Sequence, residues 1–166
     1  MTAHSLWRRA GFSPFLELAL LRLDVTQPLG RALHEVDTTL DLSSAESIDA
    51  AAFDDFWAMD QVGLEEALRS TKRSEILSVG DPMAGFAIIG YGTSAAYLQR
   101  LAVHPSEQGA GLGTSLILAA AARARRRGIR SMFLNTQIDN VQSLGLYDRL
   151  GFDRLEDGLF LLRTTT

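Results

Sequence analysis

The residues with the clearest chemical potential lie between Val103 and Leu116, V-H-P-S-E-Q-G-A-G-L-G-T-S-L: an apolar segment ended by proline, a glycine loop, then the start of an alanine-rich run. Glycines let the backbone turn so that successive N–H groups converge, and a helix beginning behind them adds its positive dipole end. Together these hold a phosphate. Spacing excludes two familiar phosphate sites. A nucleotide P-loop needs G-x-x-x-x-G-K-S/T, but Gly109 leads to Thr114 with no lysine near. A dinucleotide fingerprint needs G-x-G-x-x-G, whereas Gly109, Gly111 and Gly113 read G-x-G-x-G, and arginines stand where the acidic ribose partner should follow.

The pattern that does fit is Q/R-x-x-G-x-G/A, met by Gln108, Gly111 and Gly113 after an apolar strand, Tyr97 to Val103. Downstream, N-V-Q-S-L-G-L-Y-D-R-L-G-F, Asn140 to Phe152, fits a second signature, N-x-x-A/S-x-x-L/F-Y-x-x-x-G-F. The two in this order resemble the GNAT family of acyl-CoA-dependent N-acyltransferases, nearest in motif to its ribosomal-protein alanine acetyltransferase members. Without the second motif, a glycine-rich turn that merely opens a helix would remain an alternative.

The second motif has its own physics. Residues Ile138 to Leu150 have helical composition, with Leu144, Tyr147 and Leu150 at three-residue spacing, and Gly151 stands where a left-handed residue would end the helix. Asn140 and Tyr147, at i and i+7, would lie on one face about 10.5 Å apart along the axis. That separation suits an amide holding an extended pantetheine arm while a phenol reaches its sulfur. The alternative for Tyr147 is a core aromatic with a locally satisfied hydroxyl.

The resemblance implies the roles. Backbone groups of Leu101, Ala102 and Val103 would face pantetheine and the acyl carbonyl. The amides of Gly109, Ala110, Gly111, Leu112, Gly113 and Thr114, with Gln108 before them, would hold the pyrophosphate of acetyl-CoA, and Asn140 and Ser143 would complete the cofactor set. Tyr147 would be the catalytic acid, protonating the departing thiolate. A phenol of pKa near 10 stays protonated at neutral pH and can pass its proton to a thiolate of pKa about 8.5 at modest cost. The implied reaction is transfer of an acetyl group to a primary amine, on a small molecule or at a protein or peptide α-amine, by direct attack in a ternary complex. An acyl-CoA sensor that binds without turnover is the alternative, and a structural or protein-interaction role without CoA is a third.

The general base of better-defined relatives is missing. Alanine acetyltransferases of the ribosomal type carry a glutamate five residues before the motif asparagine, and that position is Asn135. Histone-type relatives place a glutamate on the strand before the loop, but no acid occurs from Ala84 to Ser106; Tyr97, Gln99 and Arg100 occupy that strand. Deprotonating a lysine amine at pH 7 costs about 4.6 kcal/mol, against about 1 kcal/mol for an α-amine. A site without a dedicated carboxylate is better matched to the α-amine, deprotonated through water or by Asp139, Glu107 or His104. Of these, His104 reads first as a cap beside Pro105.

Around these residues the chain reads as mixed α/β. Ser43 and Glu46 form a capping box for a helix of about Ala45 to Trp57, and a second helix runs from about Leu64 to Ser70. Strands are expected at Ser74–Val79, Met83–Tyr91 and Ala95–Val103. A long helix follows, Gly113 to Arg127, then a strand Ser131–Thr136, the Asn140 helix and a closing strand pair from Phe152 to Arg163. This is the order of the GNAT fold, a mixed central sheet splayed at the two strands flanking the cofactor helix. Phe15 to Leu23 is too short to span a bilayer, carries Glu17 and Arg22, and reads as a strand rather than a signal peptide.

Residues 1–30 form an extension to a domain of residues 31–166. Within it, residues 6–21 can be laid on 146–161 with identities at Leu6, Arg9, Gly11, Phe12 and Leu21, and with Trp7 on Tyr147. Either this is a remnant of a preceding GNAT half, in which Trp7 cannot serve as an acid, or it is chance.

Charge and composition limit the remainder. Ten acids against three cations lie between Leu40 and Asp81, including Asp54, Asp55, Asp60, Glu65 and Glu66. They read as an electrostatic lure for a cationic amine or as solvated helix faces. Phe53, Phe56 and Trp57 could floor the acceptor pocket or be core. Arg123, Arg125, Arg126, Arg127 and Arg130 complement a helix C-terminus or meet the 3′-phosphate of CoA. One such cluster in a chain of net charge −4 is a poor nucleic-acid footprint. At 166 residues, 46% of them apolar, the chain can bury one sizeable core. Having no cysteine, it has no disulfide, thiolate metal site or cysteine nucleophile, which fits a cytoplasmic protein. No metal and no membrane partner is expected. Oligomeric state is open, a homodimer being common among relatives.

Overall fold

The computed structural model describes residues 7 and 9–164, so Leu6 and Arg8 of the N-terminal comparison lie outside the described residues. Its elements run β1 (Phe12–Asp24), β2 (Asp37–Thr39), α1 (Leu42–Ala52), α2 (Gln61–Arg69), β3 (Arg73–Val79), β4 (Gly85–Tyr91) and β5 (Ala95–Val103). A 3-10 turn (Pro105–Glu107) then leads to α3 (Leu112–Arg126), β6 (Ser131–Gln137), α4 (Val141–Arg149), β7 (Asp153–Arg154) and β8 (Leu159–Thr164). The expected mixed α/β architecture is present. Two compact units divide it, Leu23–Phe133 and the pair of segments Met1–Arg22 and Leu134–Thr166.

In the unit 23–133 every residue of β4 is buried, because both faces of this strand are covered. Phe86 and Ile88 point into a cluster with Ala45, Ile48, Leu64, Ile76 and Ala102, roofed by α1 and α2. The alternate residues Ala87 and Ile89 therefore face α3, which packs on β3, β4 and β5 through Leu116, Ile117 and Ala120. Burying each such aliphatic or aromatic side chain contributes about 1.5–3 kcal/mol. Neighbours β2–β3, β3–β4 and β4–β5 are antiparallel. The ladder of β5 with β6 is parallel and short, Ala95–Tyr97 against Ser131–Phe133, after which Leu98–Val103 keep only their β4 partners among the described pairings. A register shift at Ile88/Ile89 leaves Gln99 as the extra residue of a bulge.

Several boundaries differ from the sequence expectation. The cap of α1 is Asp41, whose carboxylate accepts from Ser44 N at 3.0 Å, in place of the Ser43/Glu46 box, and the helix ends at Ala52 instead of reaching Trp57. Similarly, Asp60 caps α2 four residues before Leu64. In both cases an aspartate one turn upstream satisfies free helix N–H groups and wins over the predicted start. The three-residue β2, too short to leave a periodic signal, was not expected.

In the other unit β1 is the organising strand. It pairs antiparallel with β7 through Leu21–Arg154 and Arg22–Asp153, and with β8 from Phe12–Thr164 to Leu18–Leu159. The closing strands thus pair with β1. Local geometry at the two ends compared in the sequence is also alike. Tyr147 and Phe152 meet edge to face with ring centroids 5.4 Å apart across Gly151, at φ 83°, while Trp7 and Phe12 meet the same way at 6.3 Å across Gly11, at φ 79°.

Candidate active site

Two left-handed glycines shape the loop, Gly109 at φ 85° and Gly111 at φ 83°, a region closed to most side chains. Gly111 is the N-cap of α3 and offers no side-chain cap, so the first N–H groups of the helix, on Leu112, Gly113 and Thr114, have no intrahelical acceptor. The helix begins one residue before the predicted Gly113. A row of free amides at a positive dipole end is the feature that suits a pyrophosphate.

The strand end feeding the loop is held in place. Gln108 Nε2 donates to the carbonyl of Val103 at 3.1 Å, tying loop to strand, so the motif glutamine is already engaged within the chain. His104 caps the turn after β5: its Nδ1 accepts from Ser106 N at 3.3 Å and lies 2.8 Å from Ser106 Oγ, which donates to Glu107. These bonds favour the capping reading of His104.

The second motif resolves into two helix ends. Asn140 is the N-cap of α4, its side-chain oxygen accepting from Ser143 N at 3.1 Å and its Nδ2 donating to Thr136 Oγ1 at 3.4 Å. At the other end, Gly151 N donates to Asp148 O at 3.0 Å and Phe152 N to Tyr147 O at 3.0 Å. That is a Schellman motif, completed by the hydrophobic contact of Tyr147 with Phe152. The spacing Y-x-x-x-G-F is therefore the spacing of a helix C-terminus, and it fixes the tyrosine ring. Tyr147 is only 6% exposed, and burial pushes its phenol up to about 12. It stays protonated throughout the physiological range.

Acidic side chains that read as solvated or acceptor-facing are partly consumed elsewhere. Asp49, fully buried, receives Arg100 Nε and NH2 at 2.6 Å each, and Met59 N at 2.7 Å. Arg100 also donates to Trp57 O at 2.7 Å, and its guanidinium lies 3.7 Å from the centre of the Phe53 ring. One ion pair thus holds the whole Phe53–Met59 segment against β5. Glu75 accepts from Arg127 and pairs with Arg123 at 3.3 Å, so two of the clustered arginines have an internal partner. Phe56 and Asp54 remain exposed, as do Asp55 and Asp139.

The unit 23–133 brings together Leu101, Ala102, Val103 and the loop from Gln108 to Thr114; Asn140, Ser143 and Tyr147 belong to the other unit, on or beside α4. Three residues escaped the sequence reading. Asp49 and Arg100 lie far apart in the chain, with nothing local to pair them. His34 Nε2 lies 2.8 Å from the carbonyl of Ala110, and no pattern in the sequence ties these positions. Among the described residues, no group of three or more acids and histidines is placed to hold a metal ion, and no helix is long and apolar enough to cross a membrane.

With this geometry in view, the similarities are consistent. The profile of the acetyltransferase (GNAT) family matches residues 43–152. The mycothiol acetyltransferase of Streptosporangium roseum is 44% identical over 52 residues, 31% of this chain and 15% of that protein. The ribosomal protein bS18 alanine N-acetyltransferase of Escherichia coli is 32% identical over 77 residues, 46% of this chain and 52% of that protein. A GCN5-related N-acetyltransferase from Sphaerobacter thermophilus superposes with a TM-score of 0.72 at 15% identity, covering 97% of this chain and 55% of that one. The matches thus take in about half, or less, of each of these proteins.

Proposed function

The chain belongs to the acetyltransferase (GNAT) family, and from that premise we propose that it moves an acetyl group from acetyl-CoA, the family's donor, to a primary amine by direct attack in a ternary complex. The observation that carries this reading is the loop Gly109–Thr114, whose left-handed glycines leave a row of unpaired amides at the start of α3. A pyrophosphate is the group they suit. Backbone groups of Leu101, Ala102 and Val103, on the edge of β5 that has lost its β6 partner, would take pantetheine and the thioester carbonyl. Oriented N–H groups at that oxygen would stabilise the charge it gains. Tyr147 would return the proton to the thiolate.

Asn140 and Gln108 serve this site through the backbone they hold, as helix cap and strand-to-loop tie. The glutamates that better-defined relatives use as base have no counterpart in the sequence, which favours a weakly basic α-amine, deprotonated through water or by Asp139, Glu107 or His104, over a lysine side chain. The named relatives, a mycothiol acetyltransferase and a ribosomal-protein bS18 alanine N-acetyltransferase, set no acceptor for this chain. They give the sensor alternative no support. The absence of cysteine accords with a cytoplasmic location.

The N-terminal extension reads as the last turn and strand of a preceding GNAT half. Its support is the matched pair of left-handed glycines, Gly11 and Gly151, each followed by a phenylalanine that meets an aromatic ring edge to face. With Trp7 at the place of Tyr147, that half would have no acid there.

The test is release of free CoA thiol from acetyl-CoA across a panel of peptides and small amines. Thiol release that requires an acceptor, and favours α-amines over ε-amines, is the expected result. Saturable acetyl-CoA binding with no thiol release from any amine would overturn the enzymatic reading.

A further inference from the structure

The peptide between Ala110 and Gly111 sits in the middle of the anion loop, flanked by the left-handed Gly109 and Gly111. In a trans peptide the C=O and the following N–H point in opposite directions. Whichever way the Ala110 carbonyl faces, the Gly111 amide faces the other. Glycine at position 111 tolerates either sign of φ, so rotation of this peptide meets little steric resistance. Turned the wrong way, it would present a carbonyl dipole to a phosphate in place of an N–H.

One side chain opposes that rotation. His34 Nε2 lies 2.8 Å from the Ala110 carbonyl; the oxygen can only accept, so Nε2 carries the proton and donates. The backbone beneath His34 is itself fastened, since His34 N donates at 3.1 Å to Oγ of Ser115, a fully buried serine in the first turns of α3. Ser115 N in turn donates to Gly111 O at 3.0 Å. Beside it, Leu33 Cδ1 lies 3.5 Å from where a Cβ on Gly111 would be. A short segment far upstream is thus braced on the helix that the loop opens, and its imidazole grips the loop carbonyl from outside.

We infer that His34 is a positioning residue for the donor: by holding the Ala110 carbonyl it keeps the Gly111 amide turned toward the phosphate side of the loop. The inference rests on the reading of this loop as the pyrophosphate cradle. His34 touches neither the thioester nor the amine, so its removal should weaken donor binding and leave the chemical step alone.

The experiment compares two donors, acetyl-CoA and acetyl-pantetheine, which carries the same thioester without the pyrophosphate. The proteins are the wild type, His34→Phe, which keeps a ring and loses the donor, and His34→Gln, which keeps an N–H donor. KM and kcat are read for both donors, with melting temperature alongside. The expected result for His34→Phe is a rise in KM for acetyl-CoA of up to about tenfold, the loss of one hydrogen bond. Its kcat and its KM for acetyl-pantetheine should be unchanged, and His34→Gln should recover most of the loss. Equal effects on both donors, or a loss not restored by glutamine, would show a merely structural role and overturn the inference. So would an unchanged KM in His34→Phe while the wild type still prefers acetyl-CoA. A wild type with no preference for acetyl-CoA over acetyl-pantetheine would instead overturn the pyrophosphate reading itself.

Discussion

Arg100 grips Asp49 with two nitrogens, Nε and NH2, each 2.6 Å from a carboxylate oxygen, and Asp49 has no solvent exposure. The pair joins α1 to β5 and collects Trp57 O and Met59 N on the way. Removing one partner leaves the other charge buried alone. Asp49→Ala should therefore destabilise the fold by about 3–5 kcal/mol. At this chain length that is a fall in melting temperature on the order of 10 °C. Thermal denaturation of the variant checks it; a fall of a degree or two would mean that Arg100 finds water or another partner.

The phenol of Tyr147, pushed up to about 12 by burial, makes the proton transfer to a thiolate of pKa about 8.5 uphill by about 5 kcal/mol before the site adjusts either group. Transfer is then useful only as the C–S bond breaks and the sulfur gains charge. Tyr147→Phe should lower kcat by about a hundredfold or more while the KM for acetyl-CoA stays nearly unchanged. Steady-state kinetics at saturating acceptor decide it, and an unchanged kcat would remove Tyr147 from the chemistry.

Alkaline stability follows from the same tyrosine and from Tyr91. Burial raises both to about 12, the carboxylate of Glu75 adding to the effect at Tyr91. Folded-state values above the unfolded value near 10 mean that the unfolded chain loses these protons first. Their contribution is intact below pH 10 and is lost as pH rises through about 12. Both phenols are displaced in the same direction, so stability falls across that window, Tyr147 contributing the larger share because Tyr91 is partly screened by solvent. Denaturant titrations at pH 9 and pH 11.5 should show the fall, and Tyr91→Phe should diminish it.

Most of the fold was legible because its signals are local. The strand expected over Met83–Tyr91 forms over Gly85–Tyr91, and the strand limits Ala95 and Val103 and the stop at Gly151 emerge as expected. The site was legible where spacing encodes backbone geometry: left-handed glycines in the loop, and the helix end written in Tyr147, Gly151 and Phe152. What stayed hidden depends on distant partners. Asp49 looks like any surface acid of an amphipathic helix until Arg100 arrives across the fold, and His34 has no relation to Ala110 before folding. Asn140 and Gln108 were visible as motif residues, but their internal bonds were not.

The loop glycines carry a separable cost. At φ near +85° an alanine is strained whatever the space around it. Gly109→Ala, with nothing within 4 Å of its new methyl, isolates that strain and should cost about 1–2 kcal/mol of stability. Gly111→Ala should cost a similar amount and also weaken acetyl-CoA binding, since the residue is the helix cap. Chemical denaturation together with calorimetric titration separates the two effects; equal stability of both variants with the wild type would mean that the loop has relaxed away from this conformation.

The central claim is that the amides from Gly109 to Thr114 receive the pyrophosphate of the donor. The measurement that addresses it most directly is an amide nitrogen–proton spectrum of the full chain titrated with CoA. The largest shifts should fall on Gly109, Gly111, Leu112, Gly113 and Thr114, and should fade when pantetheine replaces CoA. Saturable CoA binding that leaves these amides unmoved would contradict the account.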